Sequence, residues 1–438
     1  MVLVYSPFAS NPSSSQLLSL AKPLIPYLPL LPRPLLTLPP SLFLHLTTSP
    51  SLSPWSFLVS PTTHSLHLPI ILTILLVPTY YLLGLLSGNV SWVDRSWPFY
   101  TPLCSGLILL YAAYNPSAEV YAHNLPRLTL MMALQLLWSA RLTRHAIRRG
   151  FYDLRGEDYR YTTFRRIVPS WLFHLVHPFV IALAQPILLL SLSLPMHAVL
   201  TLPPSELSPQ PIPSLSIPFR AVLPYLPKRL HSANPYTPIL NLADISLALI
   251  ALGLLYIEYR ADETMYAYQT AKHSAQAKSK SDMVLPNAPN GQNPASWPEP
   301  TAYPRDFHPG FPTKGLYRWS RHPNFAAEQL FWLTQTLFVV AAGESSGVTR
   351  TGWVGGSVFA GSFALSILFC ASTFLTEWIT TQKYPAYRSY RRLVGEFLPQ
   401  ETFLLWLWGT LRGKRLGLEK EVYMVPPRSS GGQFNKTE

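Results

Sequence analysis

An all-α, polytopic transmembrane bundle of about seven spans is the fold class this chain predicts, on three observations. Of its 438 residues, 48% are hydrophobic and only 13% are charged, against roughly a quarter in soluble domains. Apolar runs recur, each near the ~20 residues a helix needs to cross a bilayer. The basic residues, which bring the net charge to +13, gather in connections between those runs, as cytosolic loops do.

The elements follow in order. Residues 1–60 are rich in Leu, Pro and Ser, and prolines in "PLIPYLPLLPRPLL" deny a continuous helix. They read as a poorly ordered leader. Residues 61–400 form the transmembrane domain, with spans expected near 68–88, 98–114, 125–142, 170–194, 238–258, 324–343 and 353–376. A proline-dense connection, "LPPSELSPQPIPSLSIPF", separates the fourth from the fifth. A polar cytosolic insertion at about 270–305, "AKHSAQAKSKSDMVLPNAPNGQNPASWPEP", has the composition of disorder. Residues 401–438 are expected to be a cytosolic tail.

Loop charge sets the orientation. The connection after the third span holds Arg141, Arg144, Arg148, Arg149, Arg155, Arg160, Arg165 and Arg166, whereas "NPSAEVYAHN" before that span has no Lys or Arg. The arginine-rich loop is therefore cytosolic, and alternation places the 259–323 loop and the C-terminus on the same side. Asn89 in "NVS" is then cytosolic and not a glycosylation site.

Polar clusters gather on that side. In "SWVDRSWPF" (91–99), Asp94 and Arg95 sit among tryptophans, as either an interfacial belt or a cavity-facing acid. In "RLTRHAIRRGFYDLRGEDYRYTTFRR" (141–166), Asp153, Glu157 and Asp158 thread among arginines. That pattern suits an internally paired structure presenting guanidinium forks to an anionic cofactor better than a plain lipid anchor. "GLYRWSRHPNFAAEQLFW" (315–332) puts Pro323 at a helix start, with Lys314, Arg318 and Arg321 beside the free N–H groups that favour anions. Asn324 and Glu328, four apart, share one face of that helix. A carboxylate inside a span is a functional candidate by default. "FLTEWITTQKYPAYRSYRRLVGEFLP" (374–399) spaces Tyr384, Tyr387 and Tyr390 by three, among Arg388, Arg391 and Arg392. It reads either as an amphipathic interfacial helix or as a ribose and adenine surface.

Other chemistries lack their motifs. No nucleic-acid reader accompanies the basic charge, so nucleic acid is not an expected partner. Cys104 and Cys370 lie in apolar runs and read as small buried hydrophobes. His174 and His177 read as packing histidines, and no metal is expected. P-loop and GxGxxG patterns do not occur.

"RGEDYRYTTFR", "GLYRWSRHPNFAAEQ" and "LTEWITTQKYPAYRSYRRLVGEFLP" resemble the uncharacterised membrane branch, a domain of unknown function, of the steroid 5-alpha-reductase superfamily. The resemblance runs from about residue 68 to 400. That superfamily also holds sterol, polyprenol and trans-enoyl reductases and, more remotely, isoprenylcysteine carboxyl methyltransferase. It implies NADPH bound from the cytosolic side within the C-terminal spans. By resemblance, Arg321, His322, Asn324 and Glu328 face nicotinamide and ribose. Tyr384, Tyr387 and Arg388 line the outer end of the cofactor, and Arg160 and Tyr161 add contacts. The usual form reads aromatic-x-Gly-Glu after the asparagine, where this chain has Phe325-Ala326-Ala327-Glu328.

The implied function is NADPH-dependent reduction of a carbon–carbon double bond in a steroid, sterol or enoyl lipid reached from within the bilayer. Glu328 polarises or positions the substrate and a tyrosine, Tyr384, supplies the proton. Two alternatives stand beside it: an S-adenosylmethionine-dependent methyltransferase, and a non-catalytic lipid-binding protein. The endoplasmic reticulum is the expected membrane.

Overall fold

The computed structural model describes residues 32–48, 57, 64–114, 124–201, 240, 242–278, 283–284, 303–345 and 357–426. Most of the expected leader, the 202–239 connection and the centre of the 270–305 insertion lie outside the described residues. The elements are α1 (Pro32–Thr48), α2 (His67–Ser87), α3 (Trp92–Tyr114), α4 (Leu125–Arg148), α5 (Tyr159–Ile167), α6 (Ser170–Thr201), α7 (Leu242–Lys278), α8 (Pro323–Ser345), α9 (Ser357–Lys383), α10 (Tyr387–Leu393), α11 (Pro399–Leu411) and α12 (Arg415–Tyr423). One short antiparallel pair, β1 (Met283–Val284) with β2 (Tyr303–Pro304), joins Met283 to Pro304 and Val284 to Tyr303.

A helix forms over each of the seven runs read as spans. Five of the helices, α2, α6, α7, α8 and α9, are long and apolar enough to cross a membrane, as in a multi-pass membrane protein. Composition dilutes the other two: Pro98, Pro102, Tyr100 and Thr101 lower the hydropathy of α3, while Arg127, Arg141 and Arg144 sit in α4.

α6 is a composite. Its first turns widen into a π-helix over His177–Ala184, entered at Pro178, whose missing N–H and ring break the regular ladder. α7 continues well past the expected end of its span. Residues 256–278 hold no Gly or Pro, so nothing in the sequence stops the helix, and 270–278 of the expected insertion are helical. Residues 401–426 of the expected tail carry most of α11 and all of α12.

The chain divides into two compact units. One comprises Met1–Leu255 and Gln329–Leu368, the other Tyr256–Glu328 and Phe369–Glu438. The division falls within α7, α8 and α9.

In the first unit, polar side chains tie apolar helices together, as they do where water offers no alternative partner. Tyr100 donates to Thr73 at 2.8 Å, Thr101 to the Leu189 carbonyl at 2.9 Å, and Tyr80 to Ser96 at 2.7 Å. Arg127 forks onto Asp244 at 2.6 and 2.8 Å. Gln135 donates to Gln335 at 3.3 Å, beside an edge-to-face pair of Trp138 and Trp332. At Gly361 a Cβ would stand 2.7 Å from the Ser191 carbonyl carbon and oxygen and the Leu192 nitrogen. Two backbones approach there as only glycine allows. Gly361→Ala is expected to push α9 off α6 and to cost about 1–3 kcal/mol. A lowered melting temperature in detergent checks this, and an unchanged one refutes the close approach.

The second unit is built on an aromatic cluster of Tyr303, Phe311, Tyr384, Tyr387 and Tyr390, closed by Leu393, Val394 and Val422. Val422 brings α12 onto α10, and Ser389 donates to Glu421 beside it. Gly310, at φ 98°, is forced to be glycine because a Cβ would meet the Tyr384 ring at 2.5 Å. Its carbonyl accepts from Lys272 at 2.9 Å, and Lys272 also donates to the Tyr384 hydroxyl at 3.2 Å.

Candidate functional site

In the second unit the segment around Arg321 is pinned before its side chains act. The Arg321 N–H donates to the Gly395 carbonyl at 2.9 Å and the His322 N–H to that of Glu396 at 3.0 Å. Pro323 opens α8 one residue later, at a position where its missing N–H costs no helix bond.

Glu377, on α9, is the hub. Arg321 approaches it with Nε at 2.5 Å from Oε1 and Nη2 at 3.2 Å from Oε2. His322 Nε2 stands 2.9 Å from Oε1, Tyr387 donates to the same oxygen at 3.3 Å, and Arg391 Nε lies 3.0 Å from Oε2. Arg321 spends its remaining donors on the Val394 and Arg391 carbonyls. Burial opposes its charge, yet hydrogen bonding and attraction from Glu377 hold the guanidinium above its ordinary pKa. Burial and the Glu377 charge likewise push the Tyr387 hydroxyl up, so it stays a neutral donor.

The predicted site residues therefore separate by role. Arg321, His322 and Tyr387 meet at Glu377. Asn324 donates to Asp262 at 3.2 Å. Glu328 is buried. Tyr384 belongs to the aromatic cluster and receives Lys272. Arg318 lies over the Trp406 ring, 5.7 Å from its centroid. Arg388 and Arg392 are exposed on α10, without a carboxylate partner among the described residues.

Arg160 and Tyr161 belong to the first unit. Arg160 is held by Asp158, whose Oδ1 accepts Nε at 2.9 Å and whose Oδ2 accepts Nη2 at 3.0 Å. Tyr161 donates to Asp94 Oδ1 at 3.3 Å and accepts from Gln185 at 3.2 Å. Asp94 Oδ2 is enclosed and has no hydrogen-bond partner among the described residues. The 150s loop is wrapped rather than free. Arg95 donates to the carbonyls of Phe151, Asp153 and Gly156 at 3.3, 3.1 and 2.5 Å, and Glu157 takes Arg165 on both oxygens. Asn89, buried, donates to the Gly156 carbonyl at 2.8 Å.

Two neighbouring acids are thus shifted in opposite directions. Burial works against the Asp158 charge, but Arg160 keeps that carboxyl below its ordinary pKa. Burial pushes Asp94 up to about 6 from 3.8, with Arg160 too committed to Asp158 to reverse it. A raised pKa means the folded state favours neutral Asp94. Its contribution to stability is complete below pH 3.8 and is lost as pH rises through about 6. Asp94→Asn, which keeps an acceptor for Tyr161, is expected to gain about 1–3 kcal/mol at pH 7.5 and nothing at pH 4. Melting curves at the two pH values check it; parallel behaviour of variant and wild type would rule it out.

Glu377 lies in the quoted 374–399 stretch, and the sequence reading gives it no role. The available signal was the one used for Glu328, a carboxylate inside an apolar run. Gln185 carried no signal, because a lone amide in a span reads as packing.

Fold and site together define the class: a multi-pass helical membrane protein with organised charge at the ends of its helices. Within that class, the chain belongs to the family described as "Protein of unknown function (DUF1295)", whose model matches residues 80–213 and 221–394. It is 32% identical over 332 residues to Uncharacterized protein C594.04c of Schizosaccharomyces pombe, covering 73% of this chain and 78% of that protein. No solved structure matches the chain.

Proposed function

We propose that the protein is an integral-membrane oxidoreductase of steroid 5-alpha-reductase type, which uses NADPH to reduce a carbon–carbon double bond in a lipid. The observation that carries this reading is the second unit's charge arrangement. A buried Arg321–Glu377–His322 network consumes its own charge in rigidity, while Arg388 and Arg392 stand outside it with exposed guanidinium groups. Planar guanidinium groups suit a multiply phosphorylated cofactor better than S-adenosylmethionine, which carries no phosphate.

On this reading the donors serve both ends of the cofactor. Arg388 and Arg392 would take phosphates, and His322 and Asn324 would face the ribose and nicotinamide end. When bound, NADPH supplies the hydride to one alkene carbon. This chain's residues orient the lipid, exclude water and deliver a proton to the other carbon. Glu328, enclosed within α8, polarises or positions the substrate. Ala327, standing where the family form has glycine, is only 2% exposed. Its methyl therefore packs among protein atoms and takes no space from an open surface. The same reading includes seven spans, a cytosolic C-terminus and residence in the endoplasmic reticulum.

Calorimetric titration of the purified protein with NADPH, NADH and S-adenosylmethionine tests the proposal, together with lipid profiling after disruption of the gene. Preferential NADPH binding and accumulation of an unsaturated lipid are expected. Binding of S-adenosylmethionine alone would replace the proposal with the methyltransferase reading. An unchanged lipid profile with no cofactor binding would leave a non-catalytic lipid-binding protein.

A further inference from the structure

α11 poses a problem of exposure. Its sequence, "PQETFLLWLWGTL", carries no charge after Glu401 until Arg412. Glu401 is itself occupied, accepting the N–H groups of Glu396 at 2.7 Å and Leu398 at 3.1 Å. At 13 residues the helix is about 20 Å long, too short for a hydrocarbon core of about 30 Å. It cannot be one more span.

Its inner face is satisfied within the second unit. Thr402 is fully buried and donates to the Trp319 carbonyl at 2.6 Å, and Trp406 packs on Trp319 at 5.1 Å between ring centroids. The outer face is not covered. Phe403, Leu404, Leu407, Trp408 and Leu411 recur at helical spacing and are 62%, 62%, 50%, 55% and 72% exposed. A continuous stripe of large apolar side chains on one helix marks an interaction surface.

Charge identifies what covers it. The chain turns basic where the helix ends, with Arg412 and Lys414, while Arg415 pairs with Glu419 at 2.8 Å. Arg412 lies over the Trp408 ring, 4.2 Å from its centroid, and Arg415 over Trp406 at 4.8 Å. Apolar side chains on one face, tryptophans beside them and cations at the end match the depth profile of a lipid leaflet. Acyl chains meet Leu, the headgroup zone meets Trp, and anionic phosphates meet Arg and Lys. A protein partner would need no such ordering.

We propose that α11 is an interfacial membrane helix. It lies in the boundary between headgroups and acyl chains of an anionic leaflet and anchors the second unit there. Residues 401–415, placed by sequence in a cytosolic tail, are with the start of α11 a lipid-binding element.

Full-length protein with Cys370 replaced by serine, reconstituted in nanodiscs of phosphatidylcholine with or without phosphatidylserine, provides the test. A nitroxide is attached to a single cysteine at residue 404, 407 or 411, with residue 400 as reference. The three apolar positions are expected to be several-fold less accessible to an aqueous nickel complex than residue 400 and richer in oxygen collisions. Arg412→Gln with Lys414→Gln should reduce that protection in phosphatidylserine discs and leave it unchanged in pure phosphatidylcholine. Water accessibility at all three positions overturns the proposal. So does protection accompanied by dipolar broadening between labels, which would show a second copy on the stripe. Where a labelled variant fails to fold, the unaltered protein is photolysed with an acyl-chain diazirine lipid, and absence of adducts within 403–411 overturns it equally.

Discussion

Glu377→Ala is expected to cost about 3–5 kcal/mol, enough to abolish a folded protein in detergent at 37 °C. The magnitude follows from what remains. Arg321 is buried and spends its other donors on main-chain carbonyls, so removing the carboxylate strands a cation inside the second unit. Arg391, 46% exposed, can turn to water and contributes little to the loss. The double variant Arg321→Met with Glu377→Leu removes both buried charges at similar volume and is expected to recover most of the stability. Melting temperatures of wild type, Arg321→Met, Glu377→Leu and the double variant measure the coupling. A single Glu377→Ala variant within 1 kcal/mol of wild type would mean that water reaches the network. One consequence bears on activity. Loss of function in an Arg321 variant is explained by stability alone, so it does not identify a cofactor contact.

Arg388→Gln is expected to weaken NADPH binding about tenfold to a hundredfold with the melting temperature nearly unchanged. A hydrogen bond from a charged donor is worth about 1.5–3 kcal/mol, and losing one to a phosphate sets the scale. Arg388 is exposed and outside the Glu377 network, so its removal strands nothing. Calorimetry with NADPH and NADH checks it. Equal affinity in variant and wild type removes Arg388 from the site. An equal loss for both nucleotides places it on a phosphate the two cofactors share.

The helical membrane character was legible in the sequence because a bilayer imposes a constraint on composition that is readable one run at a time. Backbone N–H and C=O groups have no partners in hydrocarbon, so each apolar run of sufficient length closes its own hydrogen bonds as a helix. Helices appear where all seven runs predicted them. One helix start was legible for the same local reason, since Pro323 marks the opening of α8, whereas the structure alone shows Asp158 capping α5 through the Arg160 N–H at 2.9 Å.

Pairing across distant segments was decided only by tertiary structure. Arg321 and Arg388 look equivalent in sequence, two arginines near an aromatic helix. One is buried on a carboxylate fifty-six positions away and the other stands in the open. Asp94 and Asp158 are likewise indistinguishable by type, yet Arg160 attends one and leaves the other enclosed. An ion's state depends on which opposite charge lies within a few ångströms and how much water is excluded, and neither quantity is local in the chain. Sequence determined that this protein enters a membrane and where its charges cluster. Folding decided which of those charges hold the structure and which remain available to a ligand.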